Sequence, residues 1–452
     1  MRTIAMLTLA AFTFTGCGIY KKYDPKRSVP TDIYGSVQCT DTTNLGMTDW
    51  RALFRDTHLQ SLIEEGLSHN TDLLSAQLRV DQAEASLTAS KLAYLPSFAL
   101  APQGTVSSFD GGKAMQSYAL PVSSNWQVDL FGGLLNAKRQ ADANVSASQA
   151  YRRAVQTRLI ASVANTYYTL LMLDAQYAIS SETKSKWEEG VRTAKALKKA
   201  GMYTEAGVAQ MEATYYMICT SLEELSEQIN QVQNSMSLLL ACAPREFERG
   251  KIAESELPDR FGIGVPVELL SNRPDVQQAE HALASAYYGV AQARSAFYPS
   301  LVLSGSAGWS NSAGQLIANP AKLIASAVAS LTQPLFMKGQ NQARLKISKA
   351  QQEEAALFFN QTLLNAGSEV NNALTKFQTA QRKSALYEQQ VSSLERAEKS
   401  TRLLMQHGNT NYLEVLTAQQ TLLSARLTQV ANRFAEIQGV INLYQALGGG
   451  SR

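Results

Sequence analysis

The side chains best suited to chemistry in this 452-residue chain are few and scattered. Its four histidines, His58, His69, His281 and His407, share no spacing that would bring two of them onto one metal ion. Paired carboxylates occur at Glu188-Glu189 and Glu223-Glu224, on helix faces that the surrounding pattern turns toward solvent. There is no nucleophile elbow, phosphate-binding loop or dinucleotide fingerprint, and the 11 methionines form no cluster. An enzyme is not expected, and neither is a metal or cofactor. The position that does point to a covalent reaction is Cys17. Met1-Arg2 gives a positive start, Ile4 to Phe14 is a short apolar run, and Thr15-Gly16-Cys17 closes it, which is the form of a signal peptide over residues 1–16. Small residues followed by cysteine make a lipobox-like pattern, in which cleavage leaves Cys17 as an acylated N-terminus. An ordinary signal with a chance cysteine is the alternative. Gly18, where an aspartate would retain a lipoprotein in the inner membrane, favours the outer one.

The elements that must carry such a chain follow two different periods. Residues 17–48 are polar and aperiodic, suiting an extended tether. Leu53, Phe54, Leu59, Leu62, Ile63 and Leu67 then mark one face of a helix, and a second helix is expected from about Asp72 to Tyr94. From Tyr118 to Leu130 the period drops to two. Tyr118, Leu120, Val122, Ser124, Trp126, Val128 and Leu130 alternate with Ala119, Pro121, Ser123, Asn125, Gln127 and Asp129, as in a strand with one mainly apolar and one polar face. Ser97 to Phe109 forms a weaker partner across a turn at Asp110-Gly111-Gly112-Lys113. Proline-free helical stretches follow, one from about Gly133 to Ala200 and another from about Gly339 to His407, each roughly 100 Å long at 1.5 Å per residue. Shorter helices return from the turns at Gly201 and Gly408. One short helix of each kind, laid end to end, nearly equals one long one.

The second half repeats the first. Gln82-Ala83-Glu84 returns as Gln278-Ala279-Glu280, Leu95-Pro96-Ser97 as Tyr298-Pro299-Ser300, and Ala200-Gly201-Met202 as His407-Gly408-Asn409. The offset drifts from about 196 to about 207 residues, as in tandem copies separated by small insertions. The expected halves are 49–258 and 259–452, with strands about 97–130 in the first and about 300–336 in the second. No later segment has the ~18 apolar residues of a membrane helix, so a membrane span requires strands closed into a barrel. The formal net charge of +3 and the alternating charge signs do not suit nucleic acid. Three cysteines remain after processing, Cys39, Cys219 and Cys242, and the last two, if on one helix, are too far apart to bridge, which leaves buried free thiols as the expectation.

These features together resemble the TolC-like outer-membrane efflux proteins, in the lipoprotein branch that serves RND-type tripartite drug and metal pumps. The markers are Trp50-Arg51-Ala52-Leu53-Phe54, Asn70-Thr71-Asp72-Leu73, Val128-Asp129-Leu130-Phe131-Gly132, Asn272-Arg273-Pro274-Asp275, Ala296-Phe297-Tyr298-Pro299-Ser300, and Asn442 to Gly450. The resemblance implies a mainly α fold with a transmembrane β-barrel portion, built from two tandem repeats. It implies a homotrimer in the lipid bilayer, each chain giving four strands to a shared 12-stranded barrel above a periplasmic α-barrel. The implied activity is a passive exit duct for small toxic compounds, working with a periplasmic membrane-fusion adaptor and an inner-membrane transporter. Ala200, Gly201, Met202, His407, Gly408 and Asn409 would form the periplasmic tip that docks the adaptor. Leu413 aligns with an apolar pore constriction, or is an ordinary helix-packing residue. Thr417 stands where several relatives place a pore-facing aspartate, so an acidic ring is not expected there, and Glu414 is turned about 100° away from Leu413. A type I protein-secretion duct and a periplasmic coiled-coil adaptor lipoprotein are the alternatives.

Overall fold

The computed structural model describes residues 20–24, 45–108, 110–254, 272–310, 322–407 and 412–451. Three helix lengths each occur twice. Helices of 22 residues, α3 (Thr71–Leu92) and α6 (Pro274–Ser295), precede the two strand pairs. Helices of 67 residues, α4 (Gly133–Lys199) and α7 (Gln340–Gln406), follow them. Helices of 35 residues, α5 (Glu205–Leu239) and α8 (Tyr412–Ala446), come last in each half. Helix α5 stops at Leu239, and the chain leaves it through Ala241, whose φ of +54° a continuing helix cannot adopt. Two short helices, α1 (Trp50–Leu53) and α2 (Thr57–His69), open the described chain; Asp49 and Asp56 cap them through backbone N–H groups. None of the described helices is long and apolar enough to cross a membrane.

The internal packing divides the chain into two units, one containing residues 78–150 and 277–362 with the N-terminal segment, the other most of the remainder. The first unit holds the sheet. Strands β1 (Ser97–Leu100) and β2 (Gln103–Ser107) both pair with β3 (Met115–Val128), which pairs with β4 (Ser300–Ser310), which pairs with β5 (Lys322–Thr332), all antiparallel. Sequence pattern predicts one strand over 97–109, and the structure breaks it at Ala101-Pro102. Pro102 has no N–H to give the ladder. The register does not slip across the break, since Leu100 faces Val122 and Gln103 faces Ala119, so β1 and β2 are one interrupted strand. The fourth strand ends at Thr332 and not at Phe336, with Pro334 just beyond it. Directly opposed residues share a face. Leu120 with Trp309, Val122 with Ala307 and Trp126 with Leu303 therefore build one apolar face, while Ser123 with Ser306 and Asn125 with Ser304 build a polar one. Within this unit α3 and α4 meet through Ala83, Leu87, Ala141 and Val145.

The second unit holds the main core, where Phe54, Leu59 and Ile63 pack with Ile160 and Tyr167 of α4 and with Ile441 and Tyr444 of α8. It also holds two helix-to-helix joints. Asn70 caps α3 through the Leu73 N–H, and its side-chain amide donates 2.9 Å to the carbonyl of Leu239, the last residue of α5. Arg273 occupies the corresponding place before α6 and donates 2.7 Å to the carbonyl of Ala446, the last residue of α8. Each buried polar side chain thus satisfies a carbonyl that a helix end leaves without an internal partner. In this way the start of α3 is tied to the end of α5, and the start of α6 to the end of α8. The Arg273 side chain is only 7% exposed and also pairs with Asp275 and Glu369 at 2.7 Å each. Burial alone would raise the Asp275 carboxyl, yet the Arg273 hydrogen bond and charge outweigh it and hold its pKa below the ordinary range.

Candidate functional site

The first of the two expected turns, Ala200-Gly201-Met202, is fully described. Helix α4 ends on Gly201, whose φ of +73° places it in the left-handed region. The Met202 N–H donates to the Leu197 carbonyl and the Gly201 N–H to that of Lys198, both at 2.9 Å. That is the paired closure of a helix by a left-handed glycine. Thr204 then starts α5, its hydroxyl accepting from the Gly207 N–H at 3.1 Å. Lys198 pairs with Glu205 across the turn, and Lys195 with Glu212 at 2.6 Å behind it. What the turn presents at its apex is Met202, 74% exposed. A Gly201→Val substitution is expected to destabilise this hairpin by about 1–2 kcal/mol, because a β-branched residue resists positive φ. Thermal unfolding followed by circular dichroism checks it, and an unchanged midpoint would refute the strained reading.

The second expected turn is described only as far as His407, an exposed residue that donates its N–H to the Leu403 carbonyl. Gly408 and Asn409 lie outside the described residues, as do Cys17 and Cys39. Leu413 falls in the first turn of α8, and its side chain is likewise outside them. Thr417 is exposed, one residue past the buried Leu416. Cys219 and Cys242 are free, and both are half-buried rather than buried. Glu188, Glu189, Glu223 and Glu224 are exposed.

Sequence reading missed what stands behind the tip. Trp187 of α4, 3% exposed, packs with Val208 and Met211 of α5 and Leu416 of α8 in one cluster. Beside it a cavity of about 300 Å³ is lined by Lys186 and Trp187 from α4, Glu395, Glu398 and Arg402 from α7, and Gln419 and Arg426 from α8. Arg426 donates 2.6 Å to Glu395, and Gln419 donates 3.0 Å to Glu398, so the two helices of the second hairpin are cross-tied. Arg402 adds a pairing one turn along α7. Burial alone would raise the Glu398 carboxyl. The Gln419 hydrogen bond and the charges of Arg402 and Lys186 overcome it, so its pKa is lowered. Four helices, α4 and α5 from the first half and α7 and α8 from the second, therefore meet around one tryptophan and one carboxylate. The signal was available in principle, since a lone tryptophan inside a polar helical run marks a buried face.

The sign of that shift gives a pH expectation. A carboxyl whose pKa is lowered in the packed state contributes its stabilisation above the unpacked value of 4.5 and loses it as pH falls through the lowered one. Amide exchange over residues 395–426 is expected to speed up selectively below about pH 4.5. Glu398→Gln should flatten that response. If the wild-type and variant profiles coincide, the carboxylate is not what holds the hairpin.

Comparison with known proteins gives the same picture. The profile of a family described as outer membrane efflux protein matches residues 62–241 and 265–449. The chain is 28% identical over 448 residues to the cation efflux system protein CusC of Escherichia coli O6:H1, covering 97% of each chain. It is 30% identical to the pyoverdine export outer membrane protein OpmQ of Pseudomonas aeruginosa, covering 89% of this chain and 87% of that one. Among solved structures, the open state of the Neisseria gonorrhoeae MtrE outer membrane channel superposes with a TM-score of 0.85 at 25% identity, covering 96% of this chain and 98% of the other.

Proposed function

The chain belongs to the outer membrane efflux protein family and is an outer-membrane efflux duct, and from that premise we propose that it works as a lipid-anchored homotrimer. The observation that carries this is the sheet. It has an apolar face, a polar face and two unpaired edges, one along β1 and β2 and the other along β5. Such edges are not left open in a lipid environment. Pairing the β5 edge of one chain with the β1–β2 edge of the next closes the sheet after three copies, as a 12-stranded barrel with the serines of the polar face toward water. Residues 49–258 and 259–452 then act as quasi-equivalent repeats, with Cys17 carrying the acyl anchor.

The two tip turns, Ala200-Gly201-Met202 and His407-Gly408-Asn409, dock a periplasmic membrane-fusion adaptor, and through it an inner-membrane transporter. Leu413 and Thr417 stand at the narrowest level of the pore. Cargo differs between relatives named for cations and for pyoverdine, and selection is assigned to the transporter rather than to this duct. The purified protein is expected to run as a trimer in mild detergent and to give discrete conductance steps in planar bilayers. A monomer without pores would overturn the proposal. Cysteines introduced as Gly201→Cys and Gly408→Cys should crosslink in cells to the adaptor.

A further inference from the structure

The rim where strands meet helices is strongly basic. Four connections cross it, and each carries exposed cations within three turns of the sheet: Lys91 before β1, Lys138 after β3, Arg294 before β4 and Arg344 after β5. None of these four has a carboxylate partner among the described residues. Over residues 85–96, 129–141, 288–299 and 333–349 the chain carries a single acid, Asp129. That carboxylate is already engaged, accepting 2.8 Å from the Leu135 N–H at the start of α4. The chain as a whole balances 41 basic against 38 acidic residues, so this one-sided band is a local departure.

The described N-terminal segment adds to the same rim. Tyr20 donates 2.7 Å to the Leu130 carbonyl, Arg139 donates 3.1 Å to the Tyr20 carbonyl, and the Tyr23 N–H donates 3.2 Å to the Tyr288 hydroxyl. Lys21 and Lys22 between them are exposed. Beside the cations, large apolar side chains project without cover, Leu335 at 92% and Phe336 at 83% exposed, with Leu95 and Leu130 at other connections. The aromatic rings of Phe131 and Tyr298 stack 5.0 Å apart between them. Apolar and aromatic groups next to the lipid-facing strands, followed along the helices by cations, match the depth profile of a bilayer surface.

We propose that this rim binds the headgroups of anionic phospholipids, so that the duct carries a collar of phosphate-bearing lipid at the foot of its sheet. The proposal rests on the outer-membrane reading above. Cations near a membrane surface attract acidic lipid over zwitterionic lipid, and several acting together make the preference steep. The apolar neighbours fix the depth at which those cations meet phosphate.

The test uses the full-length protein in detergent micelles containing equal phosphatidylglycerol and phosphatidylethanolamine, with retained lipids counted by native mass spectrometry. The wild type is expected to retain phosphatidylglycerol preferentially. Combining Lys91→Gln, Lys138→Gln, Arg294→Gln and Arg344→Gln should cut that retention by about tenfold or more, with bilayer conductance unchanged. Swapping the lysines to arginine and the arginines to lysine should preserve it, which separates charge from misfolding. Equal retention of the two lipids by the wild type overturns the proposal. So does a glutamine variant that falls apart into monomers in lipid-free detergent, since the cations would then bind a second copy. A protein that forms no pores in bilayers of either lipid fails the membrane reading, and this proposal with it. Normal pores with no lipid preference fail the collar alone.

Discussion

An arginine at Val122 should abolish assembly in the outer membrane, whereas a lysine at the adjacent Ser123 should leave assembly intact and change conductance. The two positions are neighbours in β3, but successive residues of a strand point to opposite faces. Val122 lies opposite Ala307 on the apolar face, and Ser123 opposite Ser306 on the polar one. A cation at mid-depth on the lipid face of a barrel costs about 2–4 kcal/mol. In the three copies of the proposed trimer, that cost would exceed what a marginally stable assembly tolerates. On the proposed water side the same charge stays hydrated and costs little, but it alters the field along the pore. Membrane fractionation and single-channel recording read the two outcomes separately. If Val122→Arg assembles normally, the apolar face does not meet lipid and the barrel reading falls.

The second large effect concerns Arg273. Arg273→Met should destabilise the protein by about 3 kcal/mol, within the range for removing one partner of a buried ion pair. Two carboxylates would lose their cation, and the carbonyl of Ala446 would lose its donor. The carboxylate partners are partly solvated, with Asp275 at 41% and Glu369 at 58% exposed, which keeps the estimate at the low end. Arg273→Lys should recover part of the loss, because an ammonium keeps the charge but not the planar fork that reaches three acceptors. Chemical denaturation of the wild type and of each variant measures this. A loss below about 1 kcal/mol would mean the joint is held by packing instead.

Much of this architecture could be read from the residues, for physical reasons that differ by element. Alternation in β3 was visible because apolar residues hold one face and polar residues the other, so every second residue is constrained. The 67-residue helices were visible because no proline interrupts them, and their ends were placed within a residue or so by Gly201 and Gly339. The break in the first strand was hidden, since a proline at an edge is compatible with either a continuous or a divided strand. Hidden too were the joints. Asn70 and Arg273 stood out as motif residues, but their acceptors lie 169 and 173 residues away, beyond any local pattern. The partners of Trp187 and Glu398 were missed because four helices from both halves must be brought together to form that cluster.

Those separations bear on the order of events as the polypeptide matures. Each joint closes a loop of nearly the same size, so each must wait for a complete strand pair and a complete helical hairpin to emerge before it can form. Asn70 finds its partner once residue 239 is made, while Arg273 waits for residue 446. The amino-terminal copy can therefore lock early and serve as a template, and the carboxy-terminal copy docks onto something already set. Pulse-labelled amide exchange on chains captured during in vitro synthesis should show the ends of α3 and α5 protected before those of α6 and α8; simultaneous protection would mean that the two copies fold as one event.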